Sequence, residues 1–410
     1  MSDKSPHHLL RLGVVGRSTM ENEHRLPLHP AHLPRIDADL RAAMLLEEGY
    51  GEPFGIPDHE LAPLVGEICS RAALLEAADV VLLPKPQHED FNALRTGQVL
   101  WGWPHCVQDP VATQVAIDQS LTLIAFEAMN YWDSRGGFGL HVFHKNNELA
   151  GFASVLHALA LVGTTGTYGR PLRAVVIGFG ATARGAITAL NAHGIHDVQV
   201  LTNRQVGAVG SPIHSVRISH FAHASAAPHE TLVSTPAGPV PVADVLAASD
   251  VVVNCTFQDT DHPLTYLDES DLPAFRRGSL IVDVSCDEGM GFSWARPTTF
   301  DEPMFTVGDG IGYYAVDHTP SYLWASATWE LSEALMPFLR TVMSGPQAWD
   351  TDQTVTRAIE VRDGVVVNPA ILSFQGRAAE HPHPVTTGAT PPQEGPGSPT
   401  AAAAGSSSPR

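Results

Sequence analysis

Long apolar runs are missing from this chain. No stretch approaches the roughly 20 residues that a membrane-spanning helix needs, and the polar N-terminus lacks the apolar core of a signal peptide. Basic charge is scarce as well. Against 44 Asp and Glu stand only 24 Lys and Arg, a net charge of −20, which argues against a nucleic acid or an anionic membrane as partner. Cysteines are few: Cys69, Cys106, Cys255 and Cys286 have neither metal-ligand nor redox spacing, so no metal is expected and a reducing compartment fits. No internal repeat is visible. What remains is a cytoplasmic protein acting on small molecules, and 410 residues suffice for two domains with substantial cores.

The most informative segment present is Ala174-Val-Val-Ile-Gly178-Phe-Gly180-Ala-Thr-Ala183. A short apolar run ends in Gly-x-Gly-x-x-Ala and passes directly into a helix-forming stretch to His193. This is the form of a buried parallel strand, a tight turn and a helix whose free N–H groups face a pyrophosphate. Gly178 permits the turn, Gly180 lets the backbone approach the phosphates, and Ala183 keeps the helix close to the strand. A second strand follows at the expected distance, Val198–Leu201. At its tip, where an acidic residue would select NAD, the chain has Thr202-Asn203-Arg204. No carboxylate there repels a 2′-phosphate, and Arg204 offers a planar fork to bind one, so NADP(H) is the expected cofactor.

Alternation of apolar runs with helical patterns predicts an α/β, two-domain architecture. One part is a Rossmann dinucleotide-binding domain. The other is a Rossmann-like α/β substrate domain, with a cleft between the two. Residues 1–147 read as the first part of the substrate domain, 148–310 as the NADP-binding domain, 311–377 as a return to the substrate domain and 378–410 as a disordered tail. In the first part, strands are expected at Leu12–Gly16, Val80–Leu83, Val99–Trp103 and Leu121–Phe126, with helices at Pro34–Glu48, Arg71–Ala77 and Pro110–Gln119. A helix over Glu148–Val162 would cross between domains. Further strands are expected at Asp250–Asn254 and Ser279–Val284, and a loop-rich crossover at Val206–Pro241. Tyr322–Met343 reads as one long helix, broken or kinked at Pro337, that returns the chain to the first domain.

Hydride chemistry on an imine needs a carboxylate clamp, a group on the carbonyl and an acid/base. Candidates follow successive strands of the first part. Arg25, in Glu21-Asn-Glu-His-Arg25, offers a bidentate grip. Lys85, between Pro84 and Pro86, can polarise a carbonyl, and His105 can shuttle a proton. In the second domain Asp287 ends an apolar strand within Asp283-Val-Ser-Cys-Asp-Glu288, where it would face the nicotinamide or the reacting nitrogen. Glu127, Asp133, Asp317 and Glu330 are open candidates to hold an incoming ammonium.

These segments, with Leu100-Trp-Gly-Trp-Pro-His-Cys106, His144-Lys-Asn-Asn-Glu-Leu-Ala-Gly151 and Tyr314-Ala-Val-Asp-His318-Thr-Pro, resemble the alanine dehydrogenase and transhydrogenase family. Within it they are similar to the carboxyethylornithine synthase branch, opine-type enzymes that condense an oxo acid with a diamino acid using NADPH. The resemblance covers roughly residues 10 to 375, apart from 206–241. It implies that Arg25 binds the carboxylate, Lys85 contacts the carbonyl, His105 is the acid/base and Asp287 faces the nicotinamide. Ser-Cys-Asp-Glu-Gly and Val-Asp-His-Thr-Pro depart from the alanine dehydrogenase pattern, which argues against plain ammonia chemistry. The expected activity is NADPH-dependent reductive condensation of a pyruvate-like oxo acid with an ornithine- or lysine-like amino acid, in a homo-oligomer. The rivals are alanine dehydrogenase proper and a non-catalytic NADP-binding sensor. Retention of Arg25, Lys85, His105 and Asp287 together speaks against the sensor.

Overall fold

A computed structural model describes residues 9–203, 216–224, 227–256 and 263–386. Two large sheets organise the described residues. The first has eight strands, ordered Val365–Val366, Ile359–Arg362, Thr122–Ala125, Val99–Gly102, Val80–Leu82, Leu12–Val14, Met44–Glu47 and Glu67–Cys69. The six strands from the first half of the chain are all parallel; Ile359–Arg362, from the far end, pairs antiparallel with Thr122–Ala125, and Val365–Val366 pairs antiparallel with Ile359–Arg362. Strand direction of progress reverses between Leu12–Val14 and Val80–Leu82. In open parallel sheets ligands gather beyond the carboxyl ends of strands at such a point. Arg25, Lys85, His105 and Glu127 all lie in the segments leaving those ends.

The second sheet is built around Arg173–Ile177, whose neighbours are Asp197–Thr202 on one side and Val251–Asn254 on the other. Leu280–Asp283 and Ile311–Tyr314 continue it in parallel, and Met304–Val307 closes that edge antiparallel. Both faces of its centre are covered, so Val175 and Ile177 point into one apolar cluster while Ala174 and Val176 point into another. This is a two-domain α/β fold with two Rossmann-like sheets. No described helix is long and apolar enough to cross a membrane.

The chain passes between the sheets through the helix His144–Leu161, which begins four residues before the sequence pattern suggests. It returns through Trp324–Leu335, a 3-10 turn at Met336–Phe338 and the helix Leu339–Met343. Pro337 sits in the 3-10 turn, which is the break expected of it. Leu331, Leu335, Phe338, Leu339 and Val342 then pack with Leu12, Val14 and Trp101 in one core.

Three expectations are corrected. Pro34–Glu48 is not one helix: a 3-10 turn ends at Arg35, a short helix covers Ala38–Ala42, and Met44–Glu47 is a wholly buried strand beside Leu12–Val14. Met, Leu and Glu are good helix formers, but an apolar run buried on both faces of a parallel sheet overrides that preference. The stretch expected as a crossover loop before Pro241 instead holds the strands Val216–Ala224, Ala227–Thr235 and Gly238–Pro241, which extend the second sheet.

The third correction concerns the tail. Residues 378–386 are mostly exposed but are anchored through one side chain: His383 is buried, takes a hydrogen bond from the Val366 N–H at 3.1 Å and contacts the Ala378 carbonyl at 3.0 Å. Composition alone reads Pro- and His-rich sequence as solvated, yet one imidazole here satisfies a backbone donor that has no other partner at the sheet edge. A chain ended at Arg377 is therefore expected to be less stable than one ended at Thr386. Loss of the Val366–His383 hydrogen bond, with the edge N–H passing to water, is worth about 0.5–1.5 kcal/mol, which thermal denaturation of the two truncations will measure. Residues 387–410 lie outside the described residues.

Candidate active site

Lys85 and His105 meet. Their strands are neighbours, and the segments leaving them bring Lys85 Nζ within 2.9 Å of His105 Nε2. His105 has a left-handed backbone, φ +49°, held by its own N–H donating to Glu127 Oε1 at 2.9 Å, while its Nδ1 lies 3.8 Å from the same oxygen. Enclosure in the cleft and the Lys85 ammonium push the imidazole down to about 3. Half of the ring (48 %) is still open to the cleft, which weakens the first cause and leaves the second. His105 is therefore neutral at pH 7 and able to accept a proton.

Asp317 enters from the other sheet. It follows the strand Ile311–Tyr314, and its Oδ1 is bonded to His318 Nδ1, whose Nε2 is tied to the Glu21 carbonyl at 2.6 Å. Burial opposes ionisation of Asp317, but His318 and the positive charge of Lys85 hold its carboxyl below the usual range. Its charge acts on both Lys85 and His105, so a carboxylate fixed by His318 lies within electrostatic reach of the pair. Further ties fasten this segment to the first sheet. The His24 N–H donates to Ser321 Oγ at 3.1 Å, and the Leu26 N–H to Thr328 Oγ1 at 2.9 Å.

Arg25 does not present the open fork expected of it. Its Nε donates to Glu23 Oε1 at 2.8 Å, its Nη2 to Glu23 Oε2, and its Nη1 to Asn146 Oδ1 at 3.1 Å, with Trp103 beneath. The side chain is only 2 % exposed. A guanidinium removed from water needs a paired carboxylate, and Glu23 supplies it. Burial works against the Glu23 charge, yet Arg25 holds its carboxyl below the ordinary value. One N–H on each of Nη1 and Nη2 is left over.

Asp287 is half-buried in the loop that follows Leu280–Asp283, and burial raises its carboxyl. Its loop is anchored by Asp283, which is fully buried and receives hydrogen bonds from Asn254, Tyr313 and the Cys286 N–H. Burial pushes Asp283 up to about 6. Cys286, at φ +46°, is shaped by that anchor. Burial and the surrounding carboxylates raise its thiol, so it is no nucleophile. Among the other candidate carboxylates, Asp133 accepts the N–H groups of its own turn and Glu330 lines a separate hollow with His29 and Trp329.

The glycine turn fits a dinucleotide. Gly178 has φ +98°, and a Cβ there would meet the Cys255 carbonyl at 2.9 Å. Around Gly180, a Cβ would meet nothing within 4 Å, so the start of the helix Ala181–Ala192 opens onto free space with no side-chain cap on its N–H groups. Ala183 is wholly buried against the strand. Asn203 is exposed at the tip of Asp197–Thr202, and Arg204 lies outside the described residues. His220, on the adjacent strand, reaches the Asn203 carbonyl at 3.2 Å. Sequence reasoning passed over His220 among several irregularly spaced histidines. It also missed Glu23 and Asn146, although both stand inside motifs already singled out, whereas Asp317-His318 was expected to lie near the incoming amine.

Residues 14–149 match the description "Alanine dehydrogenase/PNT, N-terminal domain" and residues 156–369 "Alanine dehydrogenase/PNT, C-terminal domain". The chain belongs to the alanine dehydrogenase/PNT family. Members of that family are dinucleotide-dependent oxidoreductases, in agreement with the turn at Gly178. The chain is 24% identical over 336 residues to N(5)-(carboxyethyl)ornithine synthase of Lactococcus lactis subsp. lactis (strain IL1403), covering 80% of this chain and 94% of the relative. To alanine dehydrogenase of Mycobacterium tuberculosis (strain ATCC 25618 / H37Rv) it is 26% identical over 346 residues, covering 80% and 86%. Among solved structures, an L-alanine dehydrogenase superposes with a TM-score of 0.69 at 20% identity over 88% of this chain and 98% of the other. A transhydrogenase from Sinorhizobium meliloti gives 0.63 at 21% identity, covering 88% and 99%.

Proposed function

We propose that the protein is an NADPH-dependent reductase that joins a pyruvate-like 2-oxo acid to the amino group of an ornithine- or lysine-like amino acid. The observation that carries this reading is Asp317, a carboxylate of the second sheet fixed by His318 within electrostatic reach of the Lys85–His105 pair. An ammonium on the incoming amino acid finds its counter-charge there. Lys85 polarises the oxo-acid carbonyl, and the two N–H groups of Arg25 not used by Glu23 and Asn146 hold its carboxylate. Neutral His105 takes a proton from the attacking ammonium and returns it to the leaving hydroxyl as the carbinolamine dehydrates. The dinucleotide, when bound, supplies hydride to the imine carbon. Gly178, Gly180 and the helix start at Ala181, with Ala183 packed beneath it, would hold its pyrophosphate. Asn203 and Arg204 would take the 2′-phosphate, and Asp287 would border the nicotinamide.

The test is incubation with reduced dinucleotide, pyruvate and single amines, following nicotinamide absorbance and product mass. The expected product is a secondary amine with two carboxylates, its mass the sum of both substrates less water plus two hydrogens. Ammonia should serve poorly, because a site built for a larger amine leaves its polar groups unpaired around it. Alanine as the only product would replace this reading by alanine dehydrogenase proper. For the cofactor, Asn203→Asp with Arg204→Ala is expected to move preference from NADPH toward NADH. Loss of such a charge-assisted contact is worth about 1.5–3 kcal/mol, roughly 10- to 100-fold in affinity. Equal use of both cofactors by the wild type would remove the argument.

A further inference from the structure

Glu127, which holds the His105 backbone, and Glu360, whose charge acts on Glu127, are two carboxyl groups that the reading above leaves without a role. Glu127 directly follows the strand Thr122–Ala125 and Phe126. Glu360 lies on the antiparallel neighbour Ile359–Arg362, at the register break between Ile359 and Val361. A bulge of this kind re-aims a side chain, and Glu360 ends only 4% exposed. Each carboxyl has one satisfied oxygen. Glu127 Oε1 accepts the His105 N–H at 2.9 Å, and Glu360 Oε1 accepts from Asn368 Nδ2 at 3.0 Å. The second oxygen of each, Oε2, is sealed from solvent and has no hydrogen-bond partner.

Two sealed, donorless acceptor oxygens on neighbouring carboxyls make a site that is short of one proton. Buried polar atoms are almost always hydrogen-bonded, and two carboxylates in one enclosed site cannot both stay ionised. We propose that Glu127 and Glu360 share a single proton between their Oε2 atoms, and that the resulting singly charged pair is a positioning counter-ion for His105. Burial, and then the charge of Glu360, raise the Glu127 carboxyl, while burial raises Glu360 against the pull of Asn368.

The other groups around the pair are compatible with that charge. Lys85 is the cation that reaches Glu127. His141 meets the Glu127 carbonyl at 3.3 Å and is kept neutral by burial, and the Cys106 thiol is likewise pushed up by burial. With Oε1 of Glu127 on the His105 N–H, the negative charge stands 3.8 Å from Nδ1. It therefore favours the imidazolium that forms when Nε2 takes a proton. No proton leaves the pair during the reaction, and its contribution is charge and the left-handed set of the His105 backbone. Loss of the shared proton at alkaline pH adds a second negative charge and makes His105 a stronger base.

The role of His105 rests on the proposed function, so the deciding experiment does not need turnover. Infrared difference spectra of the full-length protein without substrate, stepped from neutral to alkaline pH, read the C=O stretch of a protonated carboxyl. The wild type should show such a band and lose it on titration. Glu127→Gln and Glu360→Gln should each lack it from the start, because the amide N–H replaces the shared proton and the remaining carboxylate ionises. Asp283, pushed up to about 6, adds a carboxyl band of its own, so the diagnostic is the wild-type-minus-variant spectrum: absence of a titrating band in that difference, for either variant, overturns the proposal. A kinetic arm applies where turnover is found. Glu360→Gln should move the alkaline limb of kcat/KM by about one pH unit or more, with KM for the dinucleotide unchanged. A uniform loss of kcat at every pH would mean that Glu360 serves packing alone. An inactive protein that still shows the infrared pattern would overturn the proposed function and leave the proton-sharing pair standing.

Discussion

His105→Asn and Lys85→Ala are each expected to abolish turnover with the oxo acid while dinucleotide binding survives. The two side chains are 2.9 Å apart on the first sheet, whereas the glycine turn belongs to the second. Loss of a positioned acid/base group lowers rates by roughly 10²–10⁴. Asparagine is the better replacement for His105 because it tolerates the left-handed backbone at φ +49°, so that loss of activity is not loss of the turn. Lys85→Ala removes the charge we propose to polarise the carbonyl and also releases His105 toward its ordinary basicity. Single-turnover absorbance reads the chemistry, and reduced-nicotinamide fluorescence reads binding. Near-normal turnover in His105→Asn would take the residue out of the acid/base role.

Gly185→Ala is expected to have the largest effect on stability. The helices His144–Leu161 and Ala181–Ala192 cross backbone to backbone. A Cβ on Gly185 would stand 1.7 Å from the Glu148 carbonyl oxygen, and one on Gly151 would stand 1.9 Å from that of Thr182. No side chain can turn aside to make room, so one helix must move. Overpacking costs about 1–3 kcal/mol where side chains can yield, and here the cost should reach the upper end or exceed it. That corresponds to a fall in Tm of roughly 6–12 °C, readable by calorimetry. The same movement displaces the helix start that faces the pyrophosphate, so dinucleotide affinity should drop with stability. Unchanged Tm in Gly185→Ala would show that the crossing has slack.

Much of this was legible in the residues. The strands Arg173–Ile177, Val251–Asn254 and Leu280–Asp283 are short apolar runs bounded by turn residues, and a buried parallel sheet asks for nothing else. Lys85 and His105 stood out because each follows such a run directly. Met44–Glu47 was hidden because its residues suit a helix equally well, and only pairing with Leu12–Val14 decides the matter. Glu23 was in view beside Arg25, but burial makes it the partner that closes the fork, and burial is not a property of a motif. Glu360 gave no signal at all. It is one acidic residue in a short strand, and its meaning comes from Glu127, far away in sequence and just beyond the end of the neighbouring strand. Asp317 was one of four open carboxylates, and the turn after Ile311–Tyr314 singles it out.

The closing strands of the first sheet come from the far end of the chain. Ile359–Arg362 lies on Thr122–Ala125, and Leu331 to Met343 complete the core that Leu12 and Trp101 begin. On a ribosome adding 5–20 residues per second, roughly 10–50 s separate the emergence of these partners. Over that interval the half made first has an unpaired edge and an open core, and the last strand of the second sheet, Ile311–Tyr314, is made before Ile359–Arg362 arrives to close the first. The sheet that carries Lys85 and His105 is thus the first to be started and the last to have all of its strands.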